Sequence, residues 1–373
     1  MKAIILAGGK GTRLRPLTTH LPKPMVPLLN RPCMEYSIKL LKQHGITDIG
    51  ITVQYLSGAI KEYFGDGSQW GVNIEYFDET IPLGTAGGVK NAEDFLDERF
   101  VVISGDALTD FDLSLAIRFH QEKQSIATMI MKEVEDPTQY GVIITDDEGK
   151  IIRFQEKPSW SEVFSHTVNT GIYIFEPEIF TYYERNVAFD FAKDLFPLLM
   201  KSGQSLYGVS LDGYWSDIGN LEMYRSTQFD MLTGNVKVEI EAEQIAPGIY
   251  AESQAIIEKG AHIEAPAFIG SHSVVAGQAR VGTYTIIGSH NWIQPGASTE
   301  EAILWDHNVI GKNAVLTAST LNHRCRIGEG ALIDRGAVLG NECRVEPRGH
   351  VHPGVKMEPQ GKHEWKESAA SAI

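Results

Sequence analysis

Cysteine is scarce in this chain. There are three in 373 residues, Cys33, Cys325 and Cys343, with no CxxC pair and one left over. Neither a disulfide framework nor a thiolate zinc site is indicated. Basic charge is also in deficit, since 33 lysines and arginines stand against 48 aspartates and glutamates, a net charge of −15. That argues against a protein built to embrace nucleic-acid phosphates, which requires basic stripes. Small anionic ligands stay open, because a few local groups suffice to hold them. Long hydrophobic runs are missing too: none approaches the roughly 18 residues that span a bilayer. Residues 1–6 are too short, and too soon followed by Gly8-Gly9, to read as a signal peptide. The expected setting is a reducing cytoplasm, with no membrane and no nucleic-acid partner. What is present is the composition of an ordinary globular protein, 43% hydrophobic and 22% charged, at a length that suggests two or three domains.

The first 235 residues alternate strand-like and helix-like segments. Lys2–Leu6 is a short apolar run ending in glycines, as a buried strand does where it enters a loop. Residues 34–44 carry Met34, Ile38 and Leu41 at helical spacing with Gly45 as C-cap. A strand through Ile49, Ile51 and Val53, a helix over Ser57–Phe64, a strand at Ile74 and Tyr76, a helix over 86–96 and a strand over Phe100–Ser104 follow in turn. This order predicts an α/β fold, a Rossmann-like, mainly parallel sheet with helices on both faces. Residues 140–145 and 150–155 flank a hairpin turn at Asp146-Asp147-Glu148-Gly149, and 191–200 and Leu221–Leu232 read as closing helices.

After Gly234 the periodicity changes. Apolar residues recur at every sixth position, Ile257, Ile263, Ile269, Val275, Val281, Ile287 and Ile293. The period turns irregular over 298–321 and resumes out of phase at Ile327, Ile333, Leu339, Val345 and Val351. A period of six is the hexapeptide signature of a parallel β-helix, one inward residue per side and small residues at the corners. The expected domains are therefore 1–235, then a β-helix over 236–361, then a polar tail over 362–373. Eight of the twelve histidines lie in the second part. Read from the sequence they are surface or corner residues, with no carboxylate partner evident, and Trp292 and Trp305 read as coil-packing residues.

The strongest local motif is Leu6-Ala7-Gly8-Gly9-Lys10-Gly11-Thr12-Arg13-Leu14, leaving the first strand. It has neither the Walker A nor the GxGxxG spacing. Glycines here let backbone N–H groups approach an anion closely, and Arg13 adds a bidentate partner for phosphate oxygens. Lys23, stiffened between Pro22 and Pro24, can hold an ammonium near the same anion. Asp106 follows the strand Phe100–Ser104 at its carboxyl end, the edge where open α/β sheets bind ligands. Asp217 lies where a strand meets a helix. Two such carboxylates can hold Mg²⁺; singly, each reads more simply as a turn or cap residue. Glu156-Lys157-Pro158 and Asn169-Thr170-Gly171 offer polar groups suited to sugar hydroxyls and a second phosphate. Leu83-Gly84-Thr85-Ala86-Gly87-Gly88 offers amides at a helix N-terminus.

Together GGxGTRL, Pro22-Lys23-Pro24, LGTAGG, Gly105-Asp106, Tyr140-Gly141-Val142, Glu156-Lys157-Pro158, Asn169-Thr170-Gly171 and Trp215-x-Asp217-Ile218-Gly219 occur in one order. The first 235 residues thereby resemble the sugar-phosphate nucleotidyltransferase family, and a left-handed β-helix extends the resemblance over nearly the whole chain. Within it the chain is most similar to mannose-1-phosphate guanylyltransferases, through Pro24-Met25-Val26-Pro27, LGTAGG and Asp136-Pro137-x-x-Tyr140-Gly141-Val142. Thr170 departs from the alanine many of those enzymes carry. The resemblance implies that Leu6, Ala7, Gly8, Gly9, Gly11, Thr12 and Arg13 surround the nucleotide phosphates, that Lys23 sits on the α-phosphate, and that Gly84, Thr85 and Gly87 lie near the base. It implies Asp106 and Asp217 as Mg²⁺ ligands, with Arg13 and Lys23 the catalytic cations. Gly141, Glu156, Asn169 and Thr170 would meet the sugar, and Lys157 its 1-phosphate. The implied partners are a nucleoside triphosphate and a sugar 1-phosphate, GTP with mannose 1-phosphate first and glucose 1-phosphate with dTTP, UTP or ATP as the alternative. A non-catalytic regulatory relative and an acetyltransferase activity of the β-helix are the remaining readings. A homo-oligomer formed through the β-helix is expected.

Overall fold

The computed structural model describes residues 1–363. They form two compact units. The first comprises Met1–Lys10, Pro22–Met25 and Cys33–Ile218; the second comprises Gly11–Leu21, Val26–Pro32 and the chain from Gly219 onward.

The first unit is built on β1 (Lys2–Leu6), α1 (Cys33–Gln43), β2 (Asp48–Val53), α2 (Ser57–Phe64), β3 (Asn73–Asp78), α3 (Gly84–Lys90), β4 (Phe100–Ser104), β5 (Ala107–Thr109), α4 (Leu113–Lys123), β6 (Ala127–Glu133), β7 (Gly141–Thr145), β8 (Ile151–Glu156), β9 (Thr167–Phe175), α5 (Phe196–Lys201), β10 (Leu206–Ser210) and β11 (Trp215–Asp217). Its nine-stranded sheet runs β8-β7-β9-β4-β1-β2-β3, with β6 alongside β9 and β10 alongside β6. The half from β4 to β3 is parallel, as expected from the alternating order. Strand β9 reverses direction, pairing antiparallel with β4, β6 and β7. Helix α1 buries Met34, Ile38 and Leu41, the positions its spacing marked, and Gly45 follows at φ +74°.

Local chemistry moved several boundaries. The helix expected over 86–96 starts at Gly84 and ends at Lys90. Beyond it, single turns such as Ala92 N–H to Val89 C=O and Phe95 N–H to Ala92 C=O replace the helical ladder. The helix expected over 191–200 splits into a π-turn, Phe191–Leu195, and α5. Pro197, which has no N–H to donate, stands at the junction. Helix α4 begins where the Asp112 carboxylate accepts from Ser114 N–H.

The second unit carries α6 (Leu221–Leu232) and three sheets of eight, seven and six strands, parallel except where Glu243–Ala246 opens the first of them antiparallel to Ile249–Ala251. Each strand pairs with one a full coil later, as in Ile257 with Val275 or Ile327 with Val345. This is the β-helix. Its core is a ladder of Ile, Val, Leu, Ala and Cys side chains. Each fully buried Ile or Leu contributes about 1.5–3 kcal/mol relative to exposure. The irregular stretch is not a break, because Ile287 pairs with Leu304 and Leu304 with Leu321. Two sides have each dropped one residue, between Thr299 and Leu304 and between Leu316 and Leu321, while the inward ladder continues. Trp305 is buried and donates to Tyr224 Oη at 2.8 Å. Trp292 corrects its expectation: it points outward and is 48% exposed, because strand alternation turns it away from its buried neighbour Ile293. Of the expected polar tail, Lys362 and His363 form a strand paired with Arg344–Val345; the remainder lies outside the described residues.

Candidate functional site

The loops at the carboxyl ends of β1, β2, β3 and β4 surround a cavity of about 330 Å³ in the first unit, lined by Leu6, Gly8, Gly9, Lys23, Pro24, Gln54, Glu79, Gly84, Thr85, Ser104, Asp106 and Asp190 among others. This is the edge at which a doubly wound sheet presents its loops, and the volume suits a small ligand. Six residues singled out in the sequence for a nucleotide, Leu6, Gly8, Gly9, Lys23, Gly84 and Thr85, meet here with Asp106. Gly9 has open space where a Cβ would stand, so its backbone is accessible to a ligand.

Lys23 is the centre of the charge arrangement. Its side chain is 10% exposed, and Nζ donates to Asp106 Oδ2 and, at 3.2 Å, to Asp217 Oδ1. Burial by itself would lower the ammonium's pKa, but the two carboxylates outweigh it and hold the value above the ordinary one. Asp106 shows the mirror effect. Burial pushes its carboxyl up, yet Lys23 and the Ser104 hydroxyl keep it below the usual carboxylate range. Both groups are thus held charged at neutral pH. Antiparallel pairing of β11 with β5 sets Asp217 opposite Ala107, one residue beyond Asp106, which explains how carboxylates 111 positions apart in sequence share one ammonium. Asp217 does not cap α6: Asn220 does so, accepting from Met223 N–H at 2.9 Å. Cys33 lies nearby with its thiol pushed up by burial and by Asp106, so it stays protonated.

The glycine-rich LGTAGG segment is shaped by close approach. A Cβ on Gly84 would stand 2.7 Å from Phe189 O, and one on Gly87 would stand 2.6 Å from Val187 O. Thr85 donates to Asp190 Oδ2 at 2.9 Å and accepts from Phe191 N–H. Gly84 and Thr85 face the cavity, whereas Gly87 is buried behind them against the loop at 187–189. Ala7 is likewise buried beneath the glycine loop.

A second polar group assembles on β7, β8 and β9. Glu156 pairs in register with Gly141, and a Cβ at Gly141 would come within 2.9 Å of the Glu156 carboxylate. Val168 pairs with Val142, which brings Asn169 alongside. Burial raises the Glu156 pKa, opposed by Lys157 and reinforced by Asp190. Lys157 is exposed, in a left-handed backbone conformation at φ 45°, with Nζ 3.8 Å from Glu156. Asn169 donates to Tyr173 Oη at 2.8 Å and accepts from Gly171 N–H. Thr170 is different: it is buried and its hydroxyl is spent on Ile130 C=O at 2.7 Å, so its side chain braces β9 against β6. Its carbonyl accepts from Trp215 Nε1 at 3.1 Å.

Gly11, Thr12 and Arg13 belong to the second unit. Thr12 and Arg13 are exposed, above a segment anchored by buried Leu14 and Leu17 and by Thr18 Oγ1 donating to Gly11 C=O at 2.7 Å.

The nucleotidyl transferase family matches residues 2–234, and the GMPPB C-terminal domain matches residues 253–359. The chain belongs to the nucleotidyl transferase family. Relatives across the family include a UTP–glucose-1-phosphate uridylyltransferase of Synechocystis, 40% identical over 90% of both chains. A mannose-1-phosphate guanyltransferase of Debaryomyces hansenii is 32% identical over 96% of both. A crystal structure provisionally named as glucose-1-phosphate thymidylyltransferase from Bacillus anthracis superimposes with a TM-score of 0.58 at 28% identity, covering 64% of this chain and 96% of that one. As a member of this family the protein is a sugar-phosphate nucleotidyltransferase.

Several cavity residues of this nucleotidyltransferase escaped the sequence reading, among them Gln54, Glu79, Ser104 and Asp190. Glu79 accepts from Leu83 N–H at 3.1 Å, sits 2.5 Å from where a Gly88 Cβ would be, and has its pKa raised by burial. Gln54 and Glu79 follow β2 and β3 directly, so the rule that selected Asp106, a polar residue just past the carboxyl end of a parallel strand, would have selected both. Asp190 carried no such signal. It is a helix cap whose second oxygen reaches Thr85.

Proposed function

We propose that the protein joins a nucleoside triphosphate to a hexose 1-phosphate, releasing pyrophosphate and forming an NDP-sugar. The observation that carries this reading is the buried Lys23 ammonium, held between two carboxylates in the wall of a glycine-lined cavity. The nucleophile is a phosphate oxygen that is already anionic near neutrality, because the second pKa of a phosphate monoester is about 6. No general base is required. The barrier lies in bringing two anions together and in charge building on the α-phosphorus, which positioned cations relieve. Lys23 serves the triphosphate, and the backbone at Gly8 and Gly9 lies along it; the signature motif that supports this assignment continues through Gly11, Thr12 and Arg13. Gly84 and Thr85 border the base, Gly141, Glu156 and Asn169 meet the sugar, and Lys157 receives the 1-phosphate.

Two hard carboxylate oxygen donors facing one cation suit Mg²⁺. Lys23 already shows that a positive charge is stable between Asp106 and Asp217. When bound there, Mg²⁺ would neutralise phosphate charge. The chain's own part is to keep Asp106 ionised and to supply a lysine able to turn from the two aspartates to a phosphate oxygen.

For the substrate pair, GTP with mannose 1-phosphate is the first reading. It is supported by the match of the C-terminal domain to the GMPPB kind and by Glu79 on the cavity wall. A carboxylate accepts from the two adjacent donors, N1–H and N2–H₂, of a guanine edge, whereas uracil presents one N–H between two carbonyls. The second reading, UTP with glucose 1-phosphate, is favoured by the relative at 40% identity over both domains. Pyrophosphate release measured for five nucleoside triphosphates against mannose, glucose and related 1-phosphates tests all of this. Activity with no pair would overturn the nucleotidyl-transfer reading, and activity confined to UTP and glucose 1-phosphate would overturn the first substrate assignment alone.

A further inference from the structure

The β-helix carries one cluster of ligating side chains that the nucleotidyl-transfer reaction leaves unused. Strand Leu332–Ile333 pairs with His350–Val351, Leu332 opposite His350 and Ile333 opposite Val351. Asp334 and His352 are the next residues in step, tied by Asp334 N–H to Val351 C=O at 3.0 Å. Val351 is buried in the core. Alternation along a strand therefore sends His350 and His352 to the same outer face, with Asp334 one coil below. The side chains have closed on one another. His350 Nε2 is 2.6 Å from Asp334 Oδ2, the two imidazole rings lie 4.2 Å apart, and ligating atoms of all three residues fall within 4.8 Å of one another.

Other histidines of the β-helix show what a plain corner arrangement looks like. His272, His290 and His307 stack face to face, 4.7 Å apart with ring planes within 6°. Rings stacked in parallel pack face on face, and among the described residues these three histidines form no cluster of ligating atoms with a carboxylate. At His350 and His352 the rings are tilted by 55°, and a carboxylate completes the set.

We propose that Asp334, His350 and His352 form a three-ligand site for a borderline divalent cation, zinc by preference, that ties two successive coils of the β-helix together. Bonds of about 2.0–2.1 Å in tetrahedral geometry place zinc ligands roughly 3.3 Å from each other. Side-chain rotation alone can draw the three groups from 4.8 Å or less to that spacing. Two imidazoles and one carboxylate match zinc better than Mg²⁺ or Ca²⁺, which take oxygen ligands. Three protein ligands leave a fourth position for water.

The test is calorimetric titration of the full chain with zinc chloride in buffer holding excess magnesium chloride, together with melting curves. The expected result is one saturable site per chain, a melting temperature raised by zinc, and affinity weakened at least about tenfold by His352→Ala or Asp334→Asn. His307→Ala and His262→Ala should bind as the parent does. Cobalt(II) in place of zinc should give the visible absorption of a tetrahedral centre in the parent and not in His352→Ala. Nucleotidyl transfer at fixed magnesium should be unchanged in all these variants, which separates this site from the reaction centre. Absence of a saturable site overturns the proposal. So does parental zinc affinity in a folded His352→Ala variant, which would leave His350 and Asp334 as a simple surface pair.

Discussion

The two units solve the problem of a core in opposite ways. In the nucleotidyltransferase unit, rings dominate one face of the sheet: Phe100, Tyr173, Phe175, Phe180, Phe191 and Phe196 meet at centroid distances of 5.2–6.4 Å. In the β-helix the core cluster consists of aliphatic side chains, alanines and two cysteines, repeated coil after coil. An aromatic cluster is one cooperative object in which each ring touches several others. A stack of coils is a row of similar layers, each in contact with its neighbours only. Irregular loops, and with them the charged cavity, belong to the first kind of core. A regular coil has little room for a buried ammonium between two aspartates.

Predictions follow that contrast, the largest effect first. Lys23→Met should lower kcat/KM for pyrophosphate release at least about a hundredfold, comparable to losing one oxyanion donor at about 2.7–4 kcal/mol. A folded variant with parental turnover would remove the chemistry from this unit's cavity. Next come the cores. Leu316→Ala in the β-helix should cost about 2–5 kcal/mol by denaturant titration and leave kcat unchanged. Ile287→Ala and Leu339→Ala, three layers apart on one sheet, should add to within about 0.5 kcal/mol, whereas Phe175→Leu and Phe191→Leu, stacked at 5.2 Å, should couple by about 0.5–3 kcal/mol. Additivity in both pairs, or in neither, would erase the distinction between a row of layers and a single cluster.

A smaller effect concerns Glu79. Glu79→Gln should lower the preference for GTP over UTP about tenfold, since the substitution removes one of two acceptors at the cavity wall; an unchanged ratio would take base reading away from this residue. The smallest effect is on the pH profile of stability. Asp106 has a depressed pKa in the folded state, so its contribution is present above the ordinary carboxylate value of about 3.9 and fades as pH falls through the lower folded value. Lys23 has a raised one, so its contribution is present below the ordinary lysine value of about 10.4 and fades as pH rises through the higher folded value. The melting temperature of the parent should fall at both ends of the range, and Lys23→Met should lose the alkaline limb and soften the acid one.

Much of this was readable from residue order. Periodicity of six located the inward side chains of the β-helix, and Val275, Val281 and Ile293 are buried where that period put them, whereas Ile257, in register with Val275 but in the first coil, is exposed. It faltered over 298–321 because two five-residue sides are invisible to a fixed count, although pairing carries the register through. In the first unit, glycines and strand ends pointed to Gly8, Gly9 and Asp106, and the flanking prolines to Lys23. Helix α4 and strands β6 and β10 were not drawn from the sequence, although Asp112, which caps α4, was a start signal that could have located it. The meeting of Asp106 with Asp217, and of Asp334 with His350, depends on tertiary pairing that no local pattern encodes.

One anchoring detail bears on how the chain can be cut. Within the second unit, Asn322 Nδ2 donates to Leu17 C=O at 3.3 Å, Gln228 Oε1 accepts from Leu29 N–H at 2.9 Å, and Asn30 Nδ2 donates to Glu252 and to Ser289, each at 2.8 Å. The segments so held, Gly11–Leu21 and Val26–Pro32, flank Lys23 in the sequence and contain Arg13. A truncated protein ending near residue 235 would keep every residue of the family's signature and the Gln228 anchor, and still lose the contacts from Glu252, Ser289 and Asn322 that help to hold two stretches of that signature. Trimming the chain to a minimal catalyst would therefore have to rebuild those supports, for which the β-helix serves as a splint.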